Sequence, residues 1–301
     1  MSWQQVLLQQ LVNGLTIGAV YALIALGYTM VYGILQLINF AHGEVFMLGA
    51  YVGVAALALL GPSVSGLPAG LAMAAAAMAG CAALGWGIER LAYRPLRRSP
   101  KLTALITAIG VSFLLQNAVM LGFGARDRRV PNPLPAVRWA IGGVAVTGMQ
   151  VVIIVTAALM LVLLHRFIRR TRLGQAMLAT AQDPVAARLL GIPVDTVIAW
   201  TFVIGSALAG LGGVLFGLYY STINFHDGYL TGLKAFTAAV LGGIGNLPGA
   251  ALGGVLLGLL EGLSAGYLSS QWKNAVAFLV LVLLLMFRPR GLMGEQVADR
   301  A

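Results

Sequence analysis

The chain has 301 residues, of which 59% are hydrophobic and only 9% charged, and its mean hydropathy is +0.90. A soluble domain carries roughly 25% Asp, Glu, Lys and Arg, so this composition excludes one and points to an all-α polytopic membrane protein. The formal net charge of +10 does not indicate a nucleic-acid binder, because the arginines sit in short clusters between apolar runs; lipid headgroups and topology account for them.

The first ten residues, M-S-W-Q-Q-V-L-L-Q-Q, carry no basic stretch and no cleavage site follows, so no signal peptide is expected. A membrane span needs about 20 apolar residues. Eight runs approach that length: Leu11 to Leu35, Gly43 to Leu60, Gly66 to Tyr93, Leu102 to Phe123, Gly148 to Phe167, Thr196 to Tyr220, Gly249 to Leu268 and Trp272 to Phe287. A ninth, Leu230 to Gly245, is short and glycine-rich. The expectation is a single transmembrane domain over residues 1–301, with about eight transmembrane helices plus one short or broken helix. Cys81 is the one cysteine and lies inside an apolar run, which excludes an intrachain disulfide or a cysteine metal centre.

Basic loops orient the spans. Arg90, Arg94, Arg97, Arg98 and Lys101 follow the third run, and Arg166, Arg169, Arg170 and Arg172 close the fifth, so both loops should be cytoplasmic. Loop 124–147 must then lie outside, although Arg126, Arg128, Arg129 and Arg138 outnumber Asp127 there. Pro131, Pro133 and Pro135 suggest a rigid external loop able to face an acidic partner. With R-P-R-G at the C-terminal side also inside, the ninth run has to cross and the N-terminus lies outside.

Glycine is abundant, at 39 residues. Gly254, Gly258, Gly262 and Gly266 recur every four residues, Gly249 and Gly253 form an adjacent line, and Gly14 and Gly18 repeat the spacing in the first run. Small residues let helix backbones approach closely in lipid, where apolar side chains gain little by meeting. Such helices are expected to pack in protein. I-N-F-A-H-G at 38 to 43 also resembles I-N-F-H-D-G at 223 to 228, each preceding a glycine-rich apolar run, which suggests a possible inverted repeat.

Ionisable and amide groups inside spans are costly, about 2.5–3.5 kcal/mol at the centre, and mark cavities or partners. Asn39, His42 and Glu44 cluster where the first two runs meet, either as an interfacial turn or as a broken-helix element lining a substrate path. Glu261 has no basic neighbour within two turns, so a partner must come from another helix, or the carboxyl is protonated by desolvation. Gln116 and Asn117 are placed to bond a substrate or a neighbouring helix. Glu89 beside Arg90 reads as a snorkelling pair.

No G-K-[ST] occurs, so the chain cannot form a P-loop. Residues 262 to 266 match G-x-S-x-G, but a nucleophile elbow needs a strand, a sharp turn and a helix, whereas Ser264 lies in a continuous apolar run. His42, His165 and His226 make no zinc pair, and no metal site is expected.

The longest polar-interrupted stretch is Thr171 to Ile192. Asp183 followed by Pro184 should start a helix of about two turns, and Gly191 should stop it. Such a helix is either an ordinary surface cap or a mechanical contact for a soluble partner. T-R-L-G-Q-A-M-L-A-T-A-Q-D followed by A-A-R-L-L-G-I resembles the coupling loop of ABC-importer permeases, and more closely that of the LivH-type permeases of branched-chain amino-acid importers. The same resemblance is carried by I-N-F-A-H-G-E-V-F-M-L-G-A-Y from Ile38, by K-A-F-T-A-A-V-L-G-G-I-G-N-L-P-G-A from Lys234 and by F-R-P-R-G-L-M-G from Phe287.

The resemblance implies a permease, not an enzyme, passing leucine, isoleucine and valine across a bacterial inner membrane. It implies a homologous second permease, two ATP-binding subunits and an extracytoplasmic amino-acid-binding protein as partners. This chain then has no cofactor of its own, since the partner subunits bind and hydrolyse ATP. Thr171, Arg172, Gly174, Ala179, Asp183, Pro184, Arg188 and Gly191, within a cytoplasmic coupling loop 168–195, become candidates for ATPase coupling. Asn39, His42, Glu44, Gln116, Asn117 and Glu261 become candidates for the substrate path. A permease for urea or short-chain amides, an intramembrane serine hydrolase using Ser264 and a gradient-driven transporter are the alternatives.

Overall fold

In lipid a backbone can satisfy its own polar groups only as a helix or a closed barrel, and the apolar runs of this chain fold as helices. A computed structural model describes residues 3–61, 63–97, 99–288 and 291–294. Arg98, Pro289 and Arg290 of the basic segments, and the first two residues, lie outside the described residues. The helices are α1 (Trp3–Leu35), α2 (His42–Leu60), α3 (Gly66–Ile88), α4 (Lys101–Phe123), α5 (Gly148–Arg170), α6 (Arg172–Gln182), α7 (Pro184–Leu189), α8 (Val194–Tyr220), α9 (Asp227–Gly242), α10 (Leu247–Tyr267) and α11 (Lys273–Phe287). Among the described residues, seven are long and apolar enough to cross a membrane, and α11 is a shorter apolar helix. The short ninth run is α9, whose 16 residues rise only about 24 Å at 1.5 Å per residue.

Contacts between the connections sort them onto two ends. At one end, Arg94 and Arg188 both reach Asp195, and Asn246 Nδ2 donates to Met293 O. At the other, Gln9 exchanges hydrogen bonds with Ala145, Gly66 N donates to Pro133 O, and β1 (Arg128–Arg129) pairs with β4 (Thr222–Ile223). The loop from 124 to 147 therefore sits opposite the basic connections despite its own arginines. It is more than a proline spacer: β2 (Arg138–Ile141) and β3 (Val144–Thr147) form an antiparallel hairpin within it.

Two lines of glycine on α10 face two different helices. A methyl group at Gly18 of α1 would stand 2.8 Å from Val255 Cα, and one at Gly14 would stand 2.8 Å from Gly258 O. The adjacent line, Gly249 and Gly253, meets Gly242 and Ala238 of α9. Backbones this close leave no room for side chains, so the packing rests on van der Waals contact between main chains.

The repeat seen in I-N-F-A-H-G and I-N-F-H-D-G is present in the packing. α1 packs most extensively on α10 and α3 on α8, while α2 crosses α9. Exchanging α1 with α8, α2 with α9 and α3 with α10 turns the α1–α10 pair into α8–α3 and returns α2–α9 to itself, as a two-fold repeat requires. α2 runs toward the hairpin end, where Gly66 meets Pro133, and α9 runs the opposite way, ending beside residues 291–294. There Leu292 N and Met293 N donate to Leu241 O and Gly242 O, satisfying carbonyls that the end of α9 leaves free.

Candidate functional site

Three constellations gather the polar residues. The first lies where α2 and α9 cross near their N-termini. α1 ends at Leu35, and residues 36–41 turn back into the protein, so that the His42 ring packs edge-on against Tyr28, two turns before the α1 terminus, at 4.6 Å between centroids. Asn39 holds this turn: its Oδ1 accepts from Ala41 N at 3.1 Å and from the Tyr93 hydroxyl at 3.2 Å. Tyr93 can reach because α3 continues as a π turn over Glu89–Tyr93 and a 3₁₀ turn over Arg94–Leu96, which rewinds the helix end. Glu44 is 1% exposed. Its Oε1 accepts from Ser112 Oγ at 3.2 Å, and its Oε2 has no hydrogen-bond partner among the described residues.

The crossing is tight because three glycines face one another. A methyl group at Gly232 of α9 would stand 2.8 Å from Gly43 Cα, and Gly228 backs directly onto the Glu44 carboxylate. Asn39, His42 and Glu44 thus form one buried cluster. Gln116 lies nearer the hairpin end, its Nε2 at 2.9 Å from His226 Nδ1. Asn117 is exposed and donates to Phe113 O of its own helix, so it joins neither group.

The second constellation surrounds Glu261, whose hydrogen-bond partners come from two other helices. Lys234 Nζ of α9 donates to Oε1 at 2.9 Å, and the Tyr21 hydroxyl of α1 donates to Oε2 at 2.7 Å. Lys273 stands 3.9 Å away. Lys234 and Tyr21 were not among the residues singled out from sequence, though a lone lysine inside an apolar run was the signal. Ser264, three residues on, donates its hydroxyl to Glu261 O within an unbroken helix.

The third is the knuckle at the basic end. Thr171 breaks α5 from α6: its side chain donates to Phe167 O and accepts from Gly174 N. Stretch 171 to 192 is therefore two helices, and sequence reading had marked only the second. Gly174 is buried, and a Cβ there would collide with the backbone of Phe167 and Ile168. It closes the α5–α6 corner, where only a residue without a side chain fits. Asp183 Oδ1 caps α7 by accepting from Val185 N at 2.8 Å and Ala186 N at 3.0 Å, with Pro184 in the first turn. Gly191 stops it at a φ of +81°. Asp183→Ala should cost α7 about 0.5–2 kcal/mol, read as faster hydrogen exchange at the Val185 and Ala186 amides.

Arg172, Pro184 and Arg188 are exposed on this knuckle, and Ala179 is half-buried. Arg188 lies 3.6 Å from Asp195 at the start of α8, and Arg97 bridges Asp195 to Glu89. Glu89 is thus paired with Arg97, not with Arg90 as their adjacency suggested; Arg90 instead lies over the Trp86 ring at 5.6 Å. The helix places successive side chains about 100° apart, whereas Arg97 folds back from the 3₁₀ turn. α7 and the residue that follows it also present apolar side chains to the outside: Val185, Leu189 and Leu190 are 65%, 84% and 81% exposed.

A helical body with seven candidate spans among the described residues, a buried, glycine-lined crossing of α2 and α9 and a capped knuckle at its basic end has the build of a multi-pass membrane permease. Residues 10–285 match the family model described as branched-chain amino acid transport system, permease component. The chain belongs to that family of transport permeases. It is 48% identical over 97% of both chains to the high-affinity branched-chain amino acid transport system permease protein LivH of Escherichia coli (strain K12). It is 49% identical, again over 97% of both, to the corresponding protein BraD of Pseudomonas aeruginosa. The probable branched-chain amino acid transport permease protein LivH of Methanocaldococcus jannaschii is 26% identical over 90% of this chain and 88% of its own.

Proposed function

We propose that this chain is a membrane subunit of an ABC importer for leucine, isoleucine and valine in a bacterial inner membrane. It works with a homologous second permease, two ATP-binding subunits and an extracytoplasmic binding protein. The basic end, with Arg94, Arg97, Arg169 and Arg188, faces the cytoplasm, and residues 168–195 are the coupling loop of a single permease domain. One observation carries this reading: α7 ends in a rigid, capped knuckle with exposed Leu189 and Leu190, an apolar surface suited to a protein partner. The chain has no P-loop sequence, and force from a partner ATPase at α7 would pass through Arg188, Asp195 and Arg97 to α8 and the end of α3. Alternating access then follows from the two states favoured by the partner. Asn39, His42, Glu44, Gln116 and Glu261 are assigned to or beside the path, whereas Asn117, bonded to its own helix, is left out.

The test is uptake by the reconstituted complex with labelled leucine and labelled urea. ATP-dependent leucine uptake is expected. Uptake of urea alone would overturn the amino-acid assignment, and uptake that follows a proton gradient without ATP would overturn the ABC assignment.

A further inference from the structure

Glu44 is a buried carboxylate whose charge no cation among the described residues balances. Lys and Arg are absent from its contacts, Ser112 supplies one hydrogen bond, and the first turn of α9 supplies the partial positive charge of a helix start through Gly228. An isolated buried carboxylate is strongly disfavoured unless it is paired or hydrogen-bonded on all sides. Ser112 is itself 8% exposed. It also lines a cavity of about 150 Å³ between α1, α4 and α9, together with Tyr28, Gly232, Phe40, Ile109 and Leu233.

The cavity has a polar wall and an apolar one. Because the Ser112 hydroxyl donates to Glu44 Oε1, its lone pairs are left to accept, which suits a ligand that brings only N–H donors. Tyr28 and the bare backbone of Gly232 complete that wall. Phe40, Ile109 and Leu233 form the apolar wall. The volume is close to that of an engineered apolar cavity of about 150 Å³ that admits benzene, so a branched aliphatic side chain fits.

We propose that this cavity is a subsite for the substrate amino acid, with its α-ammonium group on Ser112, whose hydroxyl bonds the Glu44 carboxylate behind the cavity wall, and its branched side chain against Phe40, Ile109 and Leu233. The subsite rests on the amino-acid reading above and adds the group recognised and the residues that recognise it. Glu44 acts on the ammonium by charge and through Ser112, and the crossing glycines let the carboxylate sit there at all.

The experiment uses the assembled complex in nanodiscs without binding protein and with Ile109→Cys, whose parent residue is 37% exposed, as a reporter. Alkylation by a neutral maleimide is timed with L-leucine, with 4-methylpentanoate, which has the same side chain and no ammonium group, and with sodium chloride. Leucine is expected to slow alkylation and 4-methylpentanoate is not. Glu44→Gln should raise the leucine concentration needed for protection roughly tenfold or more, the scale of a hydrogen bond to a charged group. Ser112→Ala, which removes one oxygen and leaves the carboxylate in place, should do the same. The subsite is overturned if leucine gives no protection although the same complex, placed in liposomes with its binding protein, transports leucine, if both variants are protected like the parent, or if sodium chloride alone protects. A parent preparation that transports urea and not leucine overturns the amino-acid reading itself.

Discussion

Replacing Lys234 with methionine is expected to destabilise the folded permease by about 3–5 kcal/mol, the cost of leaving one member of a buried ion pair alone. Lys234 and Glu261 have side chains only 7% and 2% exposed, and Lys234 Nζ lies 2.9 Å from the carboxylate. Tyr21 continues to donate to the other oxygen. Lys273, 37% exposed and 3.9 Å away, is too distant to replace the lost bond. The double variant Lys234→Met with Glu261→Leu should recover most of the loss, because a buried pair replaced by packed apolar groups is often neutral or better. Thermal unfolding in detergent measures both. Equal or additive losses in the double variant would show that the pair is not what holds α1, α9 and α10 together. Uptake adds a second distinction: a double variant with restored stability and lost transport would place Glu261 in the path, whereas restored transport would leave it a fastener.

Leu189→Asp combined with Leu190→Asp is expected to reduce ATP-driven uptake about tenfold or more, since an apolar contact at the heart of an interface contributes 2 kcal/mol or above. Both side chains project from the bundle and are more than four-fifths exposed, so the same variant should unfold at the parent temperature. Loss of ATPase subunits on co-purification should accompany the loss of uptake. Parent-level transport by this variant would remove α7 from the coupling surface and leave its exposed leucines without a role in it.

Much of the knuckle was legible because its signals are local. Asp183 accepts from amides two and three residues on, Pro184 gives up an amide that has no helical partner, and Gly191 takes the left-handed conformation that a side chain resists; each acts within one turn. The glycine ridges were legible for a related reason, since a four-residue repeat names a helix face without naming what it meets. Glu89 went to the wrong partner because adjacency in sequence is not adjacency in space once a π turn and a 3₁₀ turn intervene. The α6 helix was missed because polar residues every few positions hid its start at Thr171.

Sidedness shows the division most clearly. Charge counting alone left the arginine-bearing loop from 124 to 147 in conflict with the rule that basic loops stay inside; the pairing of β1 with β4 and of Gln9 with Ala145 puts it opposite the other basic connections.

By itself the sequence determined that the chain is helical and membrane-spanning, that its helices pack through glycine, and where a capped helix interrupts the spans. Those properties follow from solvation cost, side-chain size and hydrogen bonds between near neighbours. The tertiary structure alone decided which buried charges meet, because Lys234 joins Glu261 across 27 residues and Ser112 joins Glu44 across 68. Such partners are set by how two half-chains cross, and no local pattern encodes the crossing.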